Sequence, residues 1–213
     1  WDIVPARIFP VPDVVRGVYL ALSFLTKPES PTIIPAPAYM PFWELTAATG
    51  RETMVIDAYG GLDLNDIEDC FKRGAGSLIL CNPYNPLGYT FSREFLIELA
   101  DLTARYDARI ISDEIHGPLV YDGTHIPAAS VSDTAAQVCV TVTATSKAWN
   151  IAGLKCAQMI FTNDEDVARW NAVPWMLRDG VSILGLVAAQ ACYEAPTSFL
   201  EDQVAQLKAN RDF

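Results

Sequence analysis

Thr141-Val-Thr-Ala-Thr-Ser-Lys-Ala-Trp-Asn-Ile-Ala-Gly-Leu-Lys155 is the stretch on which the fold turns. It starts inside an alternating β-branched run, Val138 to Val142, whose period of two predicts a buried strand. Lys147 therefore stands where a strand stops and a loop begins, and is expected to be poorly solvated. Desolvation disfavours the charged ammonium, and the neutral amine is the form that attacks an aldehyde to make a Schiff base. The alternative, on this stretch alone, is an ordinary lysine of a surface loop. What decides between them lies upstream.

Two further motifs precede it. Ser77 to Cys81 reads as a strand and runs into Asn82-Pro-Tyr-Asn-Pro-Leu-Gly88, a turn-rich segment at a strand's carboxyl end, where open α/β sheets place their ligands. Arg109 to Ser112 is another short apolar strand, and Ser112-Asp-Glu-Ile-His116 leaves Asp113 at its carboxyl end. A carboxylate there needs a partner. On the residues alone it reads as an N-capping Asp together with Glu114.

The three motifs, in this order, resemble those of the fold-type I pyridoxal-phosphate (PLP) enzymes. Among these they are similar to the cystathionine β-lyase-like branch of the class I/II aminotransferase superfamily, typified by the MalY and PatB proteins. The likeness runs over nearly the whole chain. It implies an α/β fold, a three-layer sandwich around a mostly parallel seven-stranded sheet with one antiparallel strand, equivalent to the PLP-binding large domain. It implies that Lys147 carries the cofactor and that Asp113 pairs with the pyridinium nitrogen, keeping the ring an electron sink. Asn85 would hydrogen-bond the ring's 3′ oxygen. Tyr39, in Pro37-Ala-Tyr-Met-Pro-Phe42, would stack on one ring face, with packing beside prolines as the alternative, and Ile115 on the other. His116 would sit near the 3′ oxygen, where many relatives carry Tyr; a purely structural histidine is the other reading.

For the phosphate, the resemblance implies backbone N–H groups of Val14 and Val15, the Lys155 ammonium, and a hydroxyl from Thr143 or Ser146. Two departures from the common pattern bear on the site. Leu87 stands where Thr is usual, which is expected to cost one loop hydrogen bond. Lys155 stands where aminotransferases usually carry arginine, which keeps a point charge and loses the bidentate fork.

The rest of the chain alternates strands with helices between Thr32 and Phe161, which predicts right-handed crossovers and a sheet covered on both faces. Asp13 is a candidate N-cap for a helix from Val14 to Leu25, whose N-terminus is a ready phosphate site on physical grounds alone. Ser92 caps a helix that would bury Phe95, Leu99, Leu102 and Tyr106. Gly74-Ala-Gly76 is no dinucleotide fingerprint, because a strand follows it where a helix would be required. Val181 to Cys192 is apolar nearly all round, as expected of a helix buried between layers or at a subunit interface. Ser198-x-x-Glu201 reads as a capping box opening a last helix with Leu200, Val204 and Leu207 on one stripe. Residues 1–196 are expected to form the large domain and 197–213 to begin the helix leading to a small domain. The chain is accordingly read as a fragment.

Composition narrows the function classes. With 213 residues, 51% of them hydrophobic, the chain can bury a large core. A net charge of −11 argues against a nucleic-acid partner, which requires a basic face. The 5 cysteines are odd in number, widely spaced and set in apolar segments, the pattern of reduced, buried thiols. Only His116 and His125 are available as histidine ligands, so no metal site is expected. No apolar run reaches bilayer length, no membrane partner is expected, and the cytoplasm is the expected compartment.

Taken with the resemblance, these residues imply PLP chemistry on a small-molecule amino-acid substrate, in a homodimer. If a thiolate leaves from Cβ, the enzyme is a carbon–sulfur β-lyase releasing pyruvate and ammonia. If the proton returns to the cofactor, the same residues perform transamination. A non-catalytic regulatory or partner-binding module is the reading from a different class.

Overall fold

The computed structural model describes all of Trp1–Phe213. Seven strands form one sheet: β1 (Ile8–Val11), β2 (Thr32–Ala36), β3 (Thr53–Asp57), β4 (Ser77–Cys81), β5 (Arg109–Asp113), β6 (Cys139–Thr143) and β7 (Ala157–Ile160). Their order across the sheet is β1-β7-β6-β5-β4-β2-β3. Pairings from β3 through β6 are parallel, and β7 alone runs against its neighbours β6 and β1. The central strands β4, β5 and β6 are buried on both faces, which is why each reads as an apolar run. The edge strand β3 alternates buried and exposed positions instead.

Helix α1 (Val14–Leu25) lies against β5, β6 and β7, with α2 (Pro41–Ala48) and α6 (Asp164–Ala172) beside or near it. Helices α3 (Leu64–Lys72), α4 (Arg93–Arg105) and α5 (Asp133–Val138) form the opposite layer. Right-handed crossovers require this division, since the chain moves outward from β2 to β3 and then back across the sheet from β3 to β6. Gly17 sets the approach of α1 to the sheet: a Cβ there would stand 2.6 Å from Cγ1 of Val142. Any side chain would lift α1 from β6. At its other end, the buried Arg51 donates to the carbonyls of Leu22 (2.7 Å), Lys27 (2.8 Å) and Ser30 (2.9 Å) and so satisfies groups that the helix end leaves open.

Most expected elements are found within a residue or two of their expected limits. Ile8 to Val11, too short to show a period of two, forms the edge strand β1. The short helices α5 and α7 (Trp175–Arg178) were not expected, being too brief to show a helical period. In α4 the buried face is Leu96, Leu99, Ala100, Leu102 and Thr103, so Phe95 and Tyr106 flank the stripe. Helix α8 (Ile183–Glu194) is not buried between layers, the first of the two expectations for it: only Gly185 and Ala189 are buried in this chain. Helix α9 (Ser198–Asp212) corrects another: Ser198 lies inside its first turn, and the hydroxyl of Thr197 donates to Glu201 Oε1 at 2.7 Å. No helix is long and apolar enough to cross a membrane.

Candidate active site

The direction of strand order reverses between β2 and β4, and the loops leaving these two carboxyl ends diverge to open a crevice. The loop after β2 brings Tyr39 to it and the loop after β4 brings Asn85. Asp113 ends β5, with Ile115 and His116 in the turn beyond, and the turn after β6 contributes Ser146 and Lys147. Val14 and Val15 enter from the first turn of α1, beside Asp13 and Lys155. These residues, with Ala152, line one cavity of about 180 Å³.

Asp113 is the electrostatic centre of the floor. It pairs in register with Val142, so its side chain projects toward the α1 face while Ser112 and Glu114 project to the other. Only 4% of it is exposed. Its Oδ1 accepts the Ile115 N–H at 3.1 Å, and no protein group donates to its other oxygen. Burial pushes its carboxyl up to about 7; the Glu114 charge adds to this, and the Ile115 N–H and the Lys147 ammonium oppose it. His116 is held below the usual imidazole range, first by burial and then by Lys147. Its ring makes no hydrogen bond to protein.

The Asn85 loop is fixed by groups that sequence reading missed. Tyr84 donates to the carbonyls of Pro35 (2.7 Å) and Pro37 (3.0 Å), tying the β4 loop to the β2 loop across the crevice. Its ring stacks on Tyr89 at 4.9 Å. The Asn85 N–H points to Cys81 Sγ at 3.4 Å, and the Tyr84 carbonyl accepts from Gly88 N at 2.7 Å. The loop thus closes through backbone and tyrosine contacts, and Leu87 packs on the core in place of the absent threonine hydroxyl. The side-chain amide of Asn85 is left without a protein partner at the cavity wall.

At the other end, Asp13 caps α1 by accepting the Arg16 N–H at 2.8 Å, and its carbonyl accepts from Gly17. The N–H groups of Val14 and Val15 are those the cap leaves open. Lys155 adopts a left-handed backbone, φ 55°, at the end of the Ala152–Leu154 turn, and its Nζ lies 2.9 Å from Asp13 Oδ2. Burial alone would push Asp13 up, but Lys155 and the Arg16 N–H outweigh it and hold the carboxyl below its usual range. Helix α8 backs this turn: a Cβ on Gly185 would stand 2.2 Å from the Leu154 carbonyl oxygen, and Ser182 N donates to Lys155 O at 3.2 Å.

Two expectations are corrected here. Thr143 is outside the cavity: it projects to the sheet's other face and donates to the Glu114 carbonyl at 3.2 Å, so of the two residues only Ser146 lines the cavity with Lys155. Lys147 is exposed, not poorly solvated, because the turn after β6 carries it to the open rim, and no protein group hydrogen-bonds its ammonium. The other expected residues come together in the one cavity. Asp13 was expected only as the cap of α1, and Cys81 and Tyr84 were not singled out, since packing residues carry no motif of their own.

An open α/β sheet with a lysine at the rim, a buried carboxylate on the floor and a helix N-terminus at one end is an arrangement able to hold an anionic ligand. The model of the family described as aminotransferase class I and II matches residues 8–213, and the chain belongs to that family. It is 56% identical over 209 residues to a cystathionine β-lyase of Corynebacterium glutamicum, covering 98% of this chain and 56% of that protein. It is 31% identical over 220 residues to the cystathionine β-lyase PatB of Bacillus subtilis, covering 99% and 56%. Among solved structures, that of a PLP-dependent β-cystathionase from Corynebacterium diphtheriae superposes with a TM-score of 0.99 at 56% identity, covering all of this chain and 56% of that one. The chain spans about half the length of the curated relatives it matches.

Proposed function

We propose that the protein containing this chain is a PLP-dependent carbon–sulfur β-lyase that cleaves cystathionine-like sulfur amino acids to a thiol, pyruvate and ammonia. The cavity fits PLP on one observation above others: Asp113 is a buried carboxylate with an unpartnered oxygen, and a protonated ring nitrogen is the cation that would satisfy it. The reaction class rests on the 56% identity to a cystathionine β-lyase over 98% of the chain.

When bound, PLP supplies an aldehyde and a cationic ring that accepts an electron pair from the substrate. Asp113 would hold the ring-nitrogen proton. Tyr39 and Ile115 would pack on the ring, and the Asn85 amide and His116 would hydrogen-bond its oxygen substituent. The N–H groups of Val14 and Val15, the Ser146 hydroxyl and Lys155 would hold the phosphate. Lys147 would supply the anchoring amine and, when free, the base for the substrate Cα proton. Loss of that proton and of the Cβ thiolate, followed by water addition, gives the products.

The test is to incubate the full-length protein with cystathionine and no keto acid, assaying pyruvate and free thiol. Product formation without an acceptor supports elimination. Activity that appears only with a keto acid makes the protein an aminotransferase, which the family description also accommodates.

The reading extends to organisation. A homodimer is proposed because α8 exposes Ile183, Leu184 and Val187 beside the turn that carries Lys155, an apolar face suited to a second copy. Residues 1–196 are read as the large domain and 197–213 as the start of the path to a small one. The free cysteines, four of them buried, agree with the cytoplasm as the compartment.

A further inference from the structure

Glu114 follows Asp113 in sequence and has no role in the site described above. It lies on the reverse face of the sheet, 5% exposed, and its N–H continues the β5–β6 ladder by donating to Val142 O at 2.9 Å. Its Oε1 accepts from the Ser112 hydroxyl and from Ala128 N, both at 2.8 Å, and its Oε2 lies 2.9 Å from His125 Nε2. Burying a carboxylate costs free energy, and here hydrogen-bond partners on both oxygens offset that cost and fix the side chain in place.

The grip is visible. His125 belongs to the 122–127 loop, yet its ring is seated over the turn that carries Ile115 and His116. A Cβ on Gly117 would stand 2.8 Å from His125 Cδ2, so only glycine allows this seating. Through His125 and Ala128, Glu114 pins the loop against the strand end that presents Asp113. The charge is equally placed. The groups acting on Asp113 are Cys81 from β4 and Lys147 from the turn after β6, with His116 lining the same cavity. Those facing Glu114 are His125 and, on β6, Cys139. No arginine or lysine pairs with Glu114, so its field reaches Asp113 with no fixed cation beside it.

Resting on the reading of the cavity as a PLP site, we propose that Glu114 is a positioning residue for Asp113. It holds the end of β5 in register and supplies, from behind the sheet, the negative charge that keeps the ring-nitrogen proton in the site. The upward push that Glu114 exerts on the Asp113 carboxyl agrees in sign, since a nearby anion makes any proton at Asp113 harder to lose.

The experiment uses the full-length protein reconstituted with PLP carrying ¹⁵N at the ring nitrogen, and follows that nitrogen's resonance against pH. Glu114→Gln keeps the acceptor for Ser112 and Ala128 but removes the charge. It is expected to release the ring proton at a pH lower by about one unit, the order of effect of one neighbouring charge. Ser112→Ala removes a hydrogen bond and keeps the charge, and should leave that titration in place. His125→Lys keeps Glu114 but pairs it with a fixed cation, and should move the titration downward as Glu114→Gln does. If whichever of Glu114→Gln and His125→Lys folds titrates as wild type, even with a lowered melting temperature, Glu114 is merely structural and the proposal fails. A wild-type protein that takes up no PLP removes the reading of the site itself, a separate outcome.

Discussion

Lys155 Nζ lies 2.9 Å from Asp13 Oδ2 across 142 residues of sequence, so the cation at the α1 end of the cavity is already engaged by the residue that caps α1. An N-cap carboxylate suits a helix N-terminus, but it competes with a phosphate for the same positive field. The pair is half-exposed, so the competition is screened and adjustable.

Asp13→Asn preserves the cap and releases Lys155, so it is expected to tighten PLP binding by a few-fold. Lys155→Ala should weaken it by about tenfold or more, the worth of one charge-assisted hydrogen bond. Both are read by equilibrium dialysis of PLP against the full-length protein. Weaker binding in Asp13→Asn would mean that the carboxylate is needed to aim Lys155.

Asp113 sets a conflict between stability and function. Its folded pKa of about 7 lies above its ordinary 3.8, so the folded apoprotein keeps a proton that the unfolded chain gives up. Stability contributed by this group is therefore full below pH ~4 and is lost as pH rises to ~7. Asp113→Asn removes that loss. The apoprotein variant should melt above wild type at pH 8, with the gap closing toward pH 4, while lyase activity falls by orders of magnitude because the ring proton has no anion to hold it. Equal melting temperatures at pH 8 would show that water or a counter-ion already solvates Asp113.

Much of this was legible in the sequence because the informative residues sit at element ends. Cys81, Asp113 and Thr143 close strands whose apolar runs are unambiguous, so the loops bearing Asn85, Ile115 and Lys147 could be located from strand limits alone. What was not legible depends on contacts distant in sequence. Nothing near Thr143 says whether it or Ser146 faces Lys155; the parity of β6 decides, and a one-residue shift in the strand limit reverses it. The solvation of Lys147 likewise depends on how open the finished cavity is. Glu114 and His125 were eclipsed by their neighbours, since a buried acid paired with a distant loop histidine has no spacing to betray it.

Helix α8 is apolar over most of its surface, yet in this chain Ile183, Leu184 and Val187 are 78%, 71% and 63% exposed. If a second copy covers them, charge on that face should dissociate the assembly. Leu184→Glu with Val187→Glu is expected to raise the dimer dissociation constant by at least about a hundredfold, from the apolar area lost and the charge that would be buried. Sedimentation of the full-length double variant checks this. An unchanged dimer would place the interface elsewhere.

Lys147 offers the cleanest separation of chemistry from folding. It is exposed and makes no hydrogen bond, so Lys147→Ala should leave the melting temperature of the apoprotein unchanged within the ±0.5 kcal/mol typical of surface changes. Its loss removes both the anchoring amine and the proton acceptor, so turnover should fall by at least the 10²–10⁴-fold range of general acid–base catalysis. The phosphate and ring contacts remain in this variant, so PLP should still bind, more weakly and without a covalent bond. Borohydride followed by denaturation should therefore leave PLP attached to wild type and release it from Lys147→Ala. Cofactor that stays attached to the variant would assign the anchoring amine to another lysine. Lys155 is the alternative within the same cavity, and Lys155→Ala treated in the same way distinguishes the two.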